Sequence, residues 1–190
     1  MDMLKEMLRP SRVDIYILET HGYRTCCYCG KTFLFRNRTV EHFLPKALVK
    51  WNVSEDNTVN GELLAAVRSV KNMGFCCDDC NENKGCYIPT PEEFAVICKY
   101  EDKIPIYREL YEKCKTFIEG FNKMVADTAE SQGNKCNLCG NPLIREETII
   151  RRINWDGRRC RENAMCICKQ CNANESVIND RHNDTYRWKY

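Results

Sequence analysis

The sequence predicts an α+β fold in which a helical spacer separates two small cysteine-rich modules. Three observations predict it. Fifteen of the 190 residues are cysteine, and eight of these fall in four C-x-x-C pairs. The pairs and their surroundings occur twice, as an internal repeat. Between the two copies, apolar residues recur at helical spacing.

Taken in order, Val13, Ile15, Tyr16, Ile17 and Leu18 precede Gly22 and read as a short helix that the glycine ends. Cys26-x-x-Cys29-Gly30 reads as a knuckle, in which glycine lets the backbone curl. Residues 32–40 (TFLFRNRTV) are rich in β-branched and aromatic types and read as a strand. Thr90-Pro91-Glu92-Glu93 supplies a helix N-cap, a proline at the first helical position and a glutamate at the third. Tyr107, Leu110, Tyr111, Cys114, Phe117, Ile118, Phe121, Met124 and Val125 then step by threes and fours, predicting one long helix from near Pro105 to just before Gly133. Core packing is the default role of this stripe and of Cys98 and Cys114 within these helices. The expected boundaries are 1–88 for the first module, 89–132 for the spacer and 133–190 for the second module.

The first copy of the repeat runs Cys26-x-x-Cys29-Gly30, then Asn72 five residues before Cys77, then Cys77-x-x-Cys80-Asn81-x-Asn83. The second runs Cys136-x-x-Cys139-Gly140, then Asn163 five residues before Cys168, then Cys168-x-x-Cys171-Asn172-x-Asn174. Cys26 to Cys77 is a step of 51 and Cys136 to Cys168 a step of 32, so the first copy carries 19 extra residues, expected around positions 50–66. Paired C-x-x-C motifs tens of residues apart suit tetrahedral zinc bound by four thiolates. Cys26, Cys29, Cys77 and Cys80 are therefore expected to form one zinc site, and Cys136, Cys139, Cys168 and Cys171 another. Cys27 and Cys76 adjoin the first set, but only the chosen register reproduces the spacing in both copies. A closed four-thiolate site has no position for substrate, so both sites are expected to be structural.

Composition narrows the function. Net charge is +2 and the pI about 7.9, which excludes a global basic field. Locally, residues 135–190 carry 11 Lys/Arg against 7 Asp/Glu, while residues 81–134 carry 7 against 10. Any nucleic-acid surface is therefore local. No stretch approaches the roughly 18 apolar residues of a membrane span. The opening MDMLKEMLRP lacks the layout of a secretory leader, and so many unpaired thiols suit a reducing compartment; a cytoplasmic protein is expected.

Inside the first copy lies Thr39-Val40-Glu41-His42-Phe43-Leu44-Pro45-Lys46, followed by Asn72-Met73-Gly74-Phe75-Cys76-Cys77 and Cys80-Asn81-Glu82-Asn83-Lys84-Gly85. Over residues 20–86 this resembles the HNH endonuclease family: a zinc knuckle, an acidic residue and histidine followed by proline, an asparagine five residues before a cysteine, and C-N-x-x-K-G. The HGYRTCCYCGK run is similar to the family's entry into the knuckle, and the Glu-His-Phe-x-Pro-Lys form is similar to HNH proteins of bacterial anti-phage systems of the Septu and retron-linked kinds. The resemblance implies a ββα-metal module gripping one catalytic Mg²⁺ or Mn²⁺. It implies His42 as general base, since a near-neutral pKa suits that task. Glu41 and Asn81 become oxygen ligands of the hard cation, Asn72 a brace for the hairpin, and Lys84 a phosphate contact. The family more often has aspartate at position 41, and the gap from His42 to Asn72 is longer than usual.

In the second copy the counts that reach Glu41 and His42 from Cys29 reach Arg151 and Arg152 from Cys139, and Glu175 and Ser176 replace the lysine and glycine. This copy is expected to keep its zinc without the chemistry. Arg151, Arg152, Arg158, Arg159 and Arg161 surround Trp155, a mixture suited to phosphate contacts and base stacking, although charge runs are ordinarily solvated faces. The expected activity is metal-dependent cleavage of DNA. The alternatives are an RNase, for example one attacking tRNA, and a noncatalytic zinc module that binds nucleic acid or protein. A chain this small and this weakly charged also suits a larger protein partner such as an ATPase.

Overall fold

The computed structural model describes residues 7–33, 38–54, 58–154, 157 and 159–178. It is α+β: two two-stranded antiparallel ribbons sit among eight helices of the described residues.

Helix α1 (Arg12–Thr20) opens with a capping box in which the Ser11 hydroxyl and the Asp14 carboxylate satisfy each other's backbone N–H groups. It confirms the helical reading before Gly22. Strand β1 (Thr39–His42) pairs with β2 (Met73–Cys76), with Glu41 opposite Gly74 and His42 opposite Met73. Of the strand expected over residues 32–40, Thr32 makes only an isolated bridge to Thr25, and 34–37 lie outside the described residues. The extra residues of the first copy lie between the strands. They contain α2 (Lys46–Lys50) and α3 (Gly61–Arg68), so the insertion is largely helical and begins earlier than position 50. Helix α4 (Asp78–Lys84) follows β2 and ends at Gly85.

The spacer is not a passive connector. Helix α5 (Pro91–Ile97) starts with the expected Thr90 cap, Pro91 at the first position and the Glu93 reciprocal bond. The single helix expected from Pro105 to Gly133 is two: α6 (Lys103–Lys113) and α7 (Lys115–Ser131). They break at Cys114, whose N–H is shared between the Leu110 and Tyr111 carbonyls, 3.0 and 3.1 Å away. Pro105 sits in the first turn of α6, where a missing N–H costs no bond. The apolar stripe runs unbroken through the joint because Cys114 is itself buried. Periodicity therefore could not reveal the break. These helices carry the main core: Phe94 meets Phe43 edge-on at 5.0 Å between centroids and stacks on Tyr107 at 3.9 Å.

The second module repeats the plan with β3 (Thr148–Arg152), β4 (Ala164–Cys168) and α8 (Lys169–Ile178). It packs on the first directly: Cys86 lies 3.6 Å from the Thr148 carbonyl, and a Cβ on Gly85 would fall 2.4 Å from Ile149 Cδ1.

Candidate metal centres and the Glu41–His42 site

Each knuckle is built by the same local rule. The N–H of Gly30 bonds the Cys26 carbonyl at 3.0 Å with Gly30 at φ 72°; the N–H of Gly140 bonds Cys136 at 2.9 Å with Gly140 at φ 74°. A left-handed residue here is what makes glycine necessary. The tight turn points backbone N–H groups at sulfur: Tyr28 and Cys29 donate to Cys26 Sγ, while Cys168 donates to Cys136 Sγ and Cys171 to Cys168 Sγ.

The ligand sulfurs of Cys26, Cys29, Cys77 and Cys80 lie within 4.8 Å of one another, as do those of Cys136, Cys139, Cys168 and Cys171. The Cys29–Cys77, Cys77–Cys26 and Cys139–Cys168 sulfurs are each 3.8 Å apart. Zinc at about 2.3 Å from four thiolates has tetrahedral S–S edges of about 3.8 Å. Both clusters could therefore hold zinc. Burial raises the Cys136 thiol, but N–H groups from Cys168, Cys139 and Leu138 outweigh it and bring the pKa down to about 6, which favours a thiolate. Cys27 is pushed up by burial and by bonds to Cys26 and Cys76.

Beyond the sulfurs, the two modules match bond for bond. The Asn72 carbonyl accepts from Phe43 N–H at 2.9 Å, its Oδ1 accepts from Leu44 N–H at 2.8 Å, and its Nδ2 donates to the Leu44 carbonyl at 3.0 Å. Asn163 makes the same three bonds to Ile153 and Asn154, at 2.9, 2.7 and 2.9 Å. Asn72 adds a bond to the Val67 carbonyl at 3.0 Å, so it also ties in the inserted α3. The asparagines thus brace the turn after the first strand of each ribbon. Strand register provides an independent alignment: Arg151 is opposite Met165 and Arg152 opposite Ala164, the places matching Glu41–Gly74 and His42–Met73.

The first ribbon carries a buried ionisable set. Glu41 is 4% exposed and His42 5%. The Glu41 Oε1 atom lies 2.8 Å from the Lys84 ammonium and accepts from the Tyr28 hydroxyl at 3.3 Å. Lys84 Nζ also donates to the His42 carbonyl at 3.3 Å. Burial, followed by the Glu41 charge, pushes the Tyr28 hydroxyl well up, so it stays a donor. His42 Nε2 is buried with no hydrogen-bond partner among the described residues. Burial above all, then the charges of Lys46 and Lys84, hold the imidazole pKa well below its usual value. His42 is therefore neutral at pH 7 and carries an orphaned nitrogen, an arrangement that folded proteins seldom leave without a use.

The structure therefore brings Glu41, His42, Lys84 and the Asn72 brace together. Asn81 is half-buried on α4, three residues before Lys84 and so on the same helical face. Lys84 is buried, with its ammonium engaged by Glu41 and the His42 carbonyl. Tyr28, in the middle of the knuckle, was not singled out by sequence, because a tyrosine between two ligands has no spacing that marks it. Gly74 is a second such residue. A Cβ there would come within 2.7 Å of the Phe43 ring; in the second module Met165 holds the corresponding place, and Ile153, the counterpart of Phe43, is 58% exposed.

Of the arginine cluster, Arg151, Arg152 and Arg159 are half-buried, and Arg152 Nη1 donates to the Gly157 carbonyl at 3.0 Å. Arg161 pairs with Asp127 at 3.3 Å. Trp155 and Arg158 lie outside the described residues. No described helix is long and apolar enough to cross a membrane.

No family model, no curated protein and no solved structure matches the chain.

Proposed function

We propose that the chain is a divalent-metal-dependent HNH-type endonuclease that hydrolyses nucleic-acid phosphodiester bonds, with DNA as the preferred substrate. The observation that carries this reading is the neutral, buried and unpartnered Nε2 of His42, one residue along the strand from the buried Glu41, on a ribbon next to a cysteine cluster that could hold zinc. A neutral imidazole can take a proton from water; the water oxygen then bonds to phosphorus as the phosphorus–sugar oxygen bond breaks. Burial keeps His42 unprotonated at neutral pH. Asn72 fixes the turn at Leu44 and so restrains the strand end that presents the ring.

The donor set fits a hard cation in kind: a buried carboxylate at Glu41 and the amide of Asn81 on the facing helix. Bound there, Mg²⁺ or Mn²⁺ would supply Lewis acidity toward the scissile phosphate and its leaving oxygen. The two thiolate clusters would keep the frame rigid, and the arginines of the second module would bind backbone phosphate. A larger partner that delivers substrate, such as an ATPase in an anti-phage system, and a cytoplasmic setting belong to the same reading.

The noncatalytic alternative draws on the Lys84 ammonium, which neutralises Glu41. Incubating the purified chain with Mg²⁺ or Mn²⁺ and either plasmid or total RNA separates the readings. Nicked or linear plasmid is expected, lost in His42→Ala with zinc content unchanged. Cleavage of RNA alone would move the substrate to RNA, and undiminished cleavage by His42→Ala would sink the mechanism. Binding without cleavage in any metal would leave the noncatalytic module.

A further inference from the structure

We infer that Lys84 occupies the place a divalent cation would take at Glu41, so that cation binding there requires the ammonium to leave it. This rests on the proposed cation site and adds how that site is kept closed. Three observations support it. Glu41 Oε1 already takes two donors, Lys84 Nζ at 2.8 Å and the Tyr28 hydroxyl at 3.3 Å. Both charged side chains are buried, at 6% and 5% exposure, so neither can be satisfied by water if the other moves away uncompensated. The ammonium also bonds the backbone carbonyl of His42 at 3.3 Å, so it is anchored to the strand as well as to the carboxylate.

A divalent ion binds carboxylate oxygen at about 2.1 Å. An ammonium 2.8 Å from that same oxygen would be a like charge held within a few ångströms of such an ion, and in a buried site the two repel strongly. One cation therefore displaces the other. The charge left on Glu41 is then compensated by the incoming ion, and the freed lysine, on its flexible four-carbon stem, becomes available to a substrate phosphate. The same lysine thereby serves as placeholder before metal binding and as phosphate contact after it. The second module has neither half of the pair: Arg151 and Glu175 take the places of Glu41 and Lys84, with the charges reversed. Displacement would make the seat compete with its own occupant. If the ammonium-bound form outweighs the free form about tenfold, apparent cation affinity falls about tenfold.

The test uses the full chain with zinc retained, and reads Mn²⁺ binding by calorimetry in the parent, in Lys84→Met and in Glu41→Gln. Lys84→Met is expected to bind Mn²⁺ about tenfold more tightly than the parent, and Glu41→Gln not at all. Equal or weaker binding by Lys84→Met, with Glu41→Gln still inactive in binding, overturns the displacement while leaving the cation site in place. Failure of all three to bind overturns the cation site and the displacement together. Because Lys84→Met leaves a buried carboxylate and could unfold, the parent is also followed by NMR of its ¹⁵N-labelled lysine ammonium groups during Mg²⁺ titration. The protected Lys84 signal is expected to shift and lose its protection as Mg²⁺ saturates. An unmoved signal at saturation rejects the exchange.

Discussion

The two cysteine modules share a frame and differ in what they mount on it. In both, the knuckle glycine, the asparagine brace and the ribbon register superpose bond for bond, and the offset changes only across the insertion. The first module places Glu41 and His42 on the strand, buries both, and pairs Glu41 with Lys84. The second places Arg151 and Arg152 there and leaves Ile153 exposed. The pair teaches that zinc geometry and ribbon register need only a few short motifs. A buried ionisable site needs something more: a helical cover that keeps out water. The first module gains its cover from the inserted α2 and α3 and from α5–α7, and this explains why the copy with the longer interval is the one with the buried set.

The comparison can be broken most directly at the metal. Cys26→Ser is expected to unfold the protein broadly, because Cys26, Cys76 and Cys77 belong to the same core as Phe43 and Phe94. Cys136→Ser should act more locally, because Cys136 sits in a small cluster with Met165 and Ile167, while Ile150 and Ala164 of the same module join the main core. Zinc stoichiometry with hydrogen exchange reads both; equal, local loss in the two variants would contradict the asymmetry. Structural zinc contributes about 10 kcal/mol or more to such folds, so this is the largest effect.

Next comes the chemistry. On the proposed nuclease reading, His42→Ala should lower turnover by about a hundredfold to ten-thousandfold, while Arg152→Ala, its counterpart, should weaken substrate binding and leave turnover of bound substrate alone. Single-turnover kinetics at saturating nucleic acid distinguishes the two. A turnover loss in Arg152→Ala would place chemistry in the second module as well.

The braces should differ in energy although they look alike. Asn72→Ala strips partners from the N–H and carbonyl of Leu44 and from the Val67 carbonyl, all in the interior, and is expected to cost about 3 kcal/mol. Asn163→Ala removes bonds that water can replace and should cost about 1 kcal/mol. Zinc-loaded chemical denaturation measures this, and equal costs would mean that the helical cover contributes nothing to the first brace.

The smallest effect is a pH slope. The His42 pKa is lowered on folding, by burial first and the Lys46 and Lys84 charges second. Below about pH 6.5 the unfolded chain therefore takes up the proton before the folded one, and stability falls as pH drops toward the lowered folded value. The slope in that window is at most about 1.4 kcal/mol per pH unit. It should flatten in His42→Gln; an unchanged slope would show the imidazole to be charged or exposed in the folded state.

Much of this was readable in the residues. The C-x-x-C pairs, the glycine after each, and the asparagine five positions before a cysteine are local motifs whose chemistry sets their geometry, so the thiol clusters and the repeat followed from spacing alone. So did the Thr90 cap, the helix before Gly22, and the loss of Glu and His from the second copy. The break at Cys114, the helical nature of the insertion, and the pairing of Lys84 with Glu41 did not. Each depends on what a segment meets across the fold: a stripe stays apolar through a bend, and a lysine near a helix end looks solvent-bound until a carboxylate is brought to it. Short-range spacing carries metal ligation and turn chemistry because those interactions close within a few residues. Burial decides which charges are free and which nitrogen is left unpaired, and burial exists only once distant helices have closed over the ribbon.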